Sequence, residues 1–216
     1  MNYLDIHTHH EEQFPGVTRI LSLSLTQERA FEFPDREISV GLHPWFAKFE
    51  QLDAQFNQLL QAASLPQVKM IGECGLDRLK GPALPDQIEI LKKQLALAMD
   101  VRKPVLLHCV RCFDELIALQ KEMKLDIPMV LHGFNKKKEL GRQMQSKGFH
   151  LSFGKALLDP ESGAATLVRE GDVFFLESDD TEHPIEEIYE AAANLKKCSI
   201  PELKALIFAN WEKIIS

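Results

Sequence analysis

Within Leu4–His10, the stretch LDIHTHH, the chain sets an acid and three imidazoles into what reads as its first strand. Side chains alternate across a strand, so His7 and His9 face one side together. Further acids and histidines stand near the ends of later apolar runs: His43, Glu73, His108, His132, Glu177 and Asp179. Imidazole and carboxylate are the ligands preferred by zinc, manganese and iron. A core cannot bury four imidazoles and two carboxylates without pairing them or neutralising their charge. Taken together, the set predicts a metal site.

Short β-branched or Leu-rich runs must position these groups: YLDIHTH, RILSLSL, ISVGLHP, MIGECGL, PVLLHCV, PMVLHGF, HLSFG and VFFLESD. Several are apolar on both faces, the pattern of buried parallel strands. Between later runs lie segments with apolar residues at three- and four-residue spacing, among them LPDQIEILKKQLALAMDVR and CFDELIALQKEM. Strand and helix in alternation predict a (β/α)8 TIM-type barrel in a single domain, 1–216, with functional groups at the C-terminal strand ends. The first two connections are too short for full helices, so the barrel should be abridged there. The VFFLESD segment reads as a buried strand from Val173 to Leu176.

At 216 residues, 45% hydrophobic and 26% charged, the chain has the composition of a globular domain. No basic-then-apolar leader opens it and no apolar run suits a bilayer, which predicts a cytoplasmic protein without a membrane partner. Cys74, Cys109, Cys112 and Cys198 follow no disulfide spacing, and no obligate protein partner is implied. The net charge of -7 argues against broad electrostatic binding to a nucleic-acid backbone. Any polyanion site must be local.

The blocks DIHTHH, VGLHP, IGECGLD, VLLHCVR, VLHGF, GFHLSFG, FLESDD and NWEKII occur in the order of the TatD-type metal-dependent hydrolases, which the chain resembles from residue 4 to about 215. These are relatives of the amidohydrolase superfamily whose best-known members are deoxyribonucleases. The resemblance implies two divalent ions, zinc, manganese or magnesium. His7 and His9 would bind one, Glu73 would bridge to the second, His108 and His132 would hold that second ion, and Asp179 would bind the first while handling the proton of the attacking water. Glu177 would support a ligand imidazole from behind, and Asp5 would do the same for His7 or His9.

Such a site carries a local charge of about +2, suited to a phosphate. The resemblance therefore implies phosphodiester hydrolysis of DNA ends or single strands, with nucleic acid as a weakly and locally held substrate. Hydrolysis of a small amide or ester is a second reading, and a non-catalytic binding barrel a third. Loss of a ligand would have favoured the third, and none is lost. His43, beside Trp45, is read as a substrate or leaving-group contact or a structural residue, while Arg78, Arg111 and Lys136 are read as substrate contacts. The chain departs from the family at HCVR, where Arg111 stands one place late, at NKKK, and at Asp180-Thr181. These positions fall in the substrate-contacting shell and leave the metal set whole.

Overall fold

A computed structural model describes residues 1–25 and 33–216. The strands are β1 (Tyr3–Thr8), β2 (Val17–Ser24), β3 (Ile38–Gly41), β4 (Val68–Asp77), β5 (Val105–Val110), β6 (Met129–Leu131), β7 (Phe149–Phe153) and β8 (Phe175–Leu176). They form one sheet in sequence order, with parallel pairing throughout the registers β1/β2, β3/β4, β4/β5 and β7/β8. The helices are α1 (Leu52–Ala63), α2 (Leu84–Asp100), α3 (Phe113–Met123), α4 (Lys138–Ser146), α5 (Gly163–Glu170), α6 (Ile185–Lys196) and α7 (Ile200–Ile215). The fold is an abridged (β/α)8 barrel. Residues 9–16 form no helix, in line with the short first connection. The second expected abridgement falls largely on residues 26–32, outside the described residues.

The chain divides into two compact units. The first comprises Met1–Leu21 and Val130–Ser216. Here β1 pairs with β2 from Tyr3↔Val17 to Thr8↔Leu21, with a register shift between Asp5 and Thr8. The hydroxyl of Tyr189 on α6 donates to Leu4 O at 3.0 Å and accepts from Leu4 N at 3.1 Å, satisfying both main-chain groups of a buried residue. Asn210 on α7 donates to Asp172 O and Phe174 O, fixing the approach to β8. That strand is shorter than the sequence predicts. Val173 lies outside it and is 49% exposed, because the chain enters the core only at Phe174.

The second unit, Ser22–Met129, carries β3, β4 and β5 with α1, α2 and α3. Two glutamines on α2 reach inward. Gln94 pairs with both main-chain groups of Leu42, and Gln87 accepts from Asp77 N and donates to Asp77 O, Lys80 O and Pro82 O. Strand β4 passes unusually close to β5: a Cβ on Gly75 would lie 2.0 Å from His108 O, and φ there is +145°. Only glycine permits both the conformation and the approach. Among the described residues no helix is long and apolar enough to cross a membrane.

Candidate metal-binding site

In the first unit the chain just after β8 returns to β1 and is stitched to it through one peptide. Asp179 N donates to His7 O, and His9 N donates to Asp179 O, each at 3.0 Å. Asp179 sits at φ +54°, a left-handed conformation that aspartate tolerates better than most residues. The result is a carboxylate flanked by two imidazoles, with Asp179 Oδ1 3.3 Å from His7 Nε2 and 3.7 Å from His9 Nε2. Their juxtaposition therefore comes from the main chain of Asp179 as much as from alternation along β1. Indeed β1 ends at Thr8, and His7 is buried while His9 is exposed.

His132, just past β6, joins this cluster. Its ring centroid lies 4.4 Å from that of His7, and its Nδ1 is 3.5 Å from Glu177 Oε1, which also accepts from Gly133 N at 2.6 Å. Asp5 has a different task from the one expected. It accepts from Ser178 N at 2.9 Å and Ser178 Oγ at 2.7 Å, with Arg19 Nε 3.6 Å away, so it grips the residue between Glu177 and Asp179 and not an imidazole. The physical reason is its place inside β1, three residues before the strand end at Thr8, level with the chain leaving β8. Burial pushes the Asp5 carboxyl up to about 7, against the opposing pull of the Ser178 hydrogen bonds and Arg19. Ser178 Oγ also lies 2.9 Å from Thr8 Oγ1.

The second unit holds its own cluster. Glu73 Oε1 is 2.9 Å from His43 Nε2 and 3.0 Å from His108 Nδ1, all three residues being buried. The two imidazoles are not equivalent. His43 Nδ1 accepts from Trp45 N at 3.1 Å, so a neutral His43 carries its proton on Nε2 and donates it to Glu73. His108 lies between two carboxylates, its Nδ1 3.0 Å from Glu73 Oε1 and its Nε2 3.0 Å from Asp77 Oδ2. Sequence reasoning passed over Asp77. Counting by two from Glu73 along β4 puts Asp77 on the same side, and that was the available signal. Asp77 also accepts from Trp45 Nε1 at 2.6 Å and from Leu79 N and Lys80 N. Burial works to raise its pKa, but the hydrogen bonds from Trp45, His108 and Leu79 prevail and hold the carboxyl below its ordinary value.

Both clusters fit a divalent cation by their donor chemistry. Within His7–His9–Asp179, His132–Glu177–Asp179 and His43–Glu73–His108, one ligand atom per residue lies within 4.8 Å of the others. Donors on one tetrahedral zinc ion stand about 3.3–3.6 Å apart, so side-chain adjustment of about 1 Å separates the widest of these spacings from a coordination sphere. A carboxylate at the second ring nitrogen, where Asp77 stands beside His108 Nε2, is a usual support of a ligating histidine. The expected substrate contacts are less prepared. Arg78 is paired with Glu115 and donates to Arg111 O at 3.0 Å, while Arg111 and Lys136 are exposed.

A family profile described as TatD related DNase matches residues 14–216. Among relatives, the chain is 34% identical over 85 residues to the human 3'-5' RNA nuclease TATDN2, covering 38% of this chain and 11% of that protein. It is 26% identical over 153 residues to the 3'-5' ssDNA/RNA exonuclease TatD of Escherichia fergusonii, covering 68% of this chain and 56% of that protein. The matches thus span at most somewhat over half the length of these two relatives. Among solved structures, YJJV, a TatD homolog from Escherichia coli K12, superposes with a TM-score of 0.80 at 21% identity, covering 99% of this chain and 97% of that one. That likeness carries the barrel fold, and the profile match over nearly the whole chain carries the lineage: the protein belongs to the TatD related DNase family.

Proposed function

We propose that the protein is a metal-dependent phosphodiester hydrolase acting on the ends of single-stranded nucleic acid, with one divalent ion in each cluster. The observation that carries this reading is the Asp179 peptide held between His7 and His9, which presents a carboxylate and two imidazoles as one preformed unit. The names of the relatives, nucleases of single-stranded DNA and RNA, support the substrate class.

In this reading His7, His9 and Asp179 hold the first ion, and Glu73 and His108 hold the second. His132 adds a further imidazole, with its Nδ1 steadied by Glu177. Bound divalent ions supply positive charge for the phosphoryl oxygens and bring the pKa of a bound water from about 15.7 to about 7. Asp179 keeps Oδ1 toward the imidazoles and takes the water's proton at Oδ2, as a general base. His43 orients Glu73 through its Nε2–H. Asp77 holds the His108 tautomer.

The test is to strip the protein with chelator, measure its metal content, restore zinc, manganese or magnesium singly, and follow a labelled single strand. Nucleotide release that depends on the restored ion is expected. Absence of release with every ion, together with turnover of a cyclic amide panel, would replace this reading with amide hydrolysis.

A further inference from the structure

A cavity of about 420 Å³ in the second unit is lined by Trp45, Phe46, Phe49 and Pro82, with Lys48, Glu50 and Asp86 also at its walls. Its aromatic content is unusual for a surface. Phe46 is 49% and Phe49 52% exposed, and Trp45 beside them is 37% exposed. The exposed face these rings present costs solubility unless something covers it.

The cavity borders the second cluster. The Trp45 ring lies 4.9 Å from the His43 ring and 5.4 Å from the His108 ring, and its Nε1–H is held by Asp77. Phe46 is tilted against His43 at 5.4 Å. A cation stands at the rim as well, since Lys80 Nζ sits 3.9 Å over the Trp45 ring. The loop that carries Lys80 is pinned from behind by Gln87 through two part-buried hydrogen bonds, to Lys80 O and Pro82 O.

We propose that this cavity is a subsite for one nucleobase of a single strand, stacked on Phe46 and Phe49, with Lys48 and Lys80 taking the adjoining phosphate. The inference rests on the nucleic-acid reading above and adds where the strand is held. A purely apolar ligand would strip water from two lysines and two carboxylates without replacing it. A nucleotide matches every group present: a π face for the phenyl rings, amino and imino hydrogens for Glu50 and Asp86, and a phosphate for the lysines. Stacking of this kind tolerates any base, because every base has a π face.

The experiment follows tryptophan fluorescence without added metal. Of the two tryptophans, Trp45 lines the cavity and Trp211 is buried at 4% exposure, so a signal from the cavity is separable. Saturable quenching by dTMP is expected, with 2-deoxyribose 5-phosphate bound far more weakly. The double variant Phe46→Ala/Phe49→Ala should weaken dTMP by about tenfold or more, the factor of a lost base–aromatic stack. Leu60→Ala on α1, a similarly exposed apolar side chain outside the cavity, should leave dTMP affinity unchanged. Both phenylalanines are half exposed, and circular dichroism checks that the variant folds.

No saturable quenching, equal affinity for the base-free sugar phosphate, or undiminished dTMP binding by the double variant would overturn the subsite. So would a concentration-dependent dimer that the double variant abolishes while dTMP fails to bind, since the rings would then be a self-association face. Strand hydrolysis is assayed separately on the wild-type protein. Its failure would count against the nuclease reading, whereas the titration alone decides the subsite.

Discussion

Asp179 concentrates the proposed chemistry in one side chain, and its neighbour provides the control. Asp179→Asn keeps the hydrogen bonds of the peptide and much of the ligand field but removes the base, so kcat on a labelled strand should fall a hundredfold or more with most metal retained. Asp180→Asn, at an exposed position, should change kcat little. A comparable loss in both variants would move the base elsewhere. Asp77→Asn should act through His108, lowering metal affinity by about ten- to a hundredfold, measured by equilibrium titration of the stripped protein. At this scale the acids and histidines that come together in the two clusters were legible in the sequence. It concealed the residues that hold them, Asp77 and Ser178, because a supporting role depends on partners far away in the chain. The task assigned to Asp5 went astray for the same reason: its partner Ser178 is 173 residues distant.

At the scale of elements, strand β4 sets the geometry of the second cluster by coming close to β5. Gly75→Ala would put a Cβ against His108 O in a conformation alanine resists, and unfolding by denaturant should show a loss of about 3 kcal/mol or more. At the far end of the chain, α7 begins with a capping box in which Ser199 Oγ accepts from Glu202 N and Glu202 accepts from Ser199 N. Ser199→Ala should cost about 1 kcal/mol in the same measurement. The helices over 84–100 and 113–123 were legible because their periodicity is strong. The extent of β8 was not, since Val173 is apolar and yet exposed, and only packing decides that.

For the molecule as a whole, the formal charge of -7 limits how a nucleic acid is held. Binding should weaken with salt along a shallow log–log slope of a few counterions, and a slope near about ten would reveal a large basic surface. Chelation should abolish strand cleavage while the fold persists, because most of the buried residues among those described are apolar. The barrel was readable from the alternation of strands and helices. Its division into two compact units was not, because the sequence contains no linker to mark one.

The stitching of Asp179 to β1 also imposes an order in time. Thr8 and Asp179 are 171 residues apart, so at a usual synthesis rate of 5–20 residues per second the N-terminal imidazoles wait on the order of ten to thirty seconds for the carboxylate that completes their cluster. Leu4 waits longer still for the Tyr189 hydroxyl, 185 residues on. A ribosome-bound nascent chain therefore displays His7 and His9 without their partner. In the proposed reading, tight loading of the first ion waits until the late segment carrying Asp179 has joined β1.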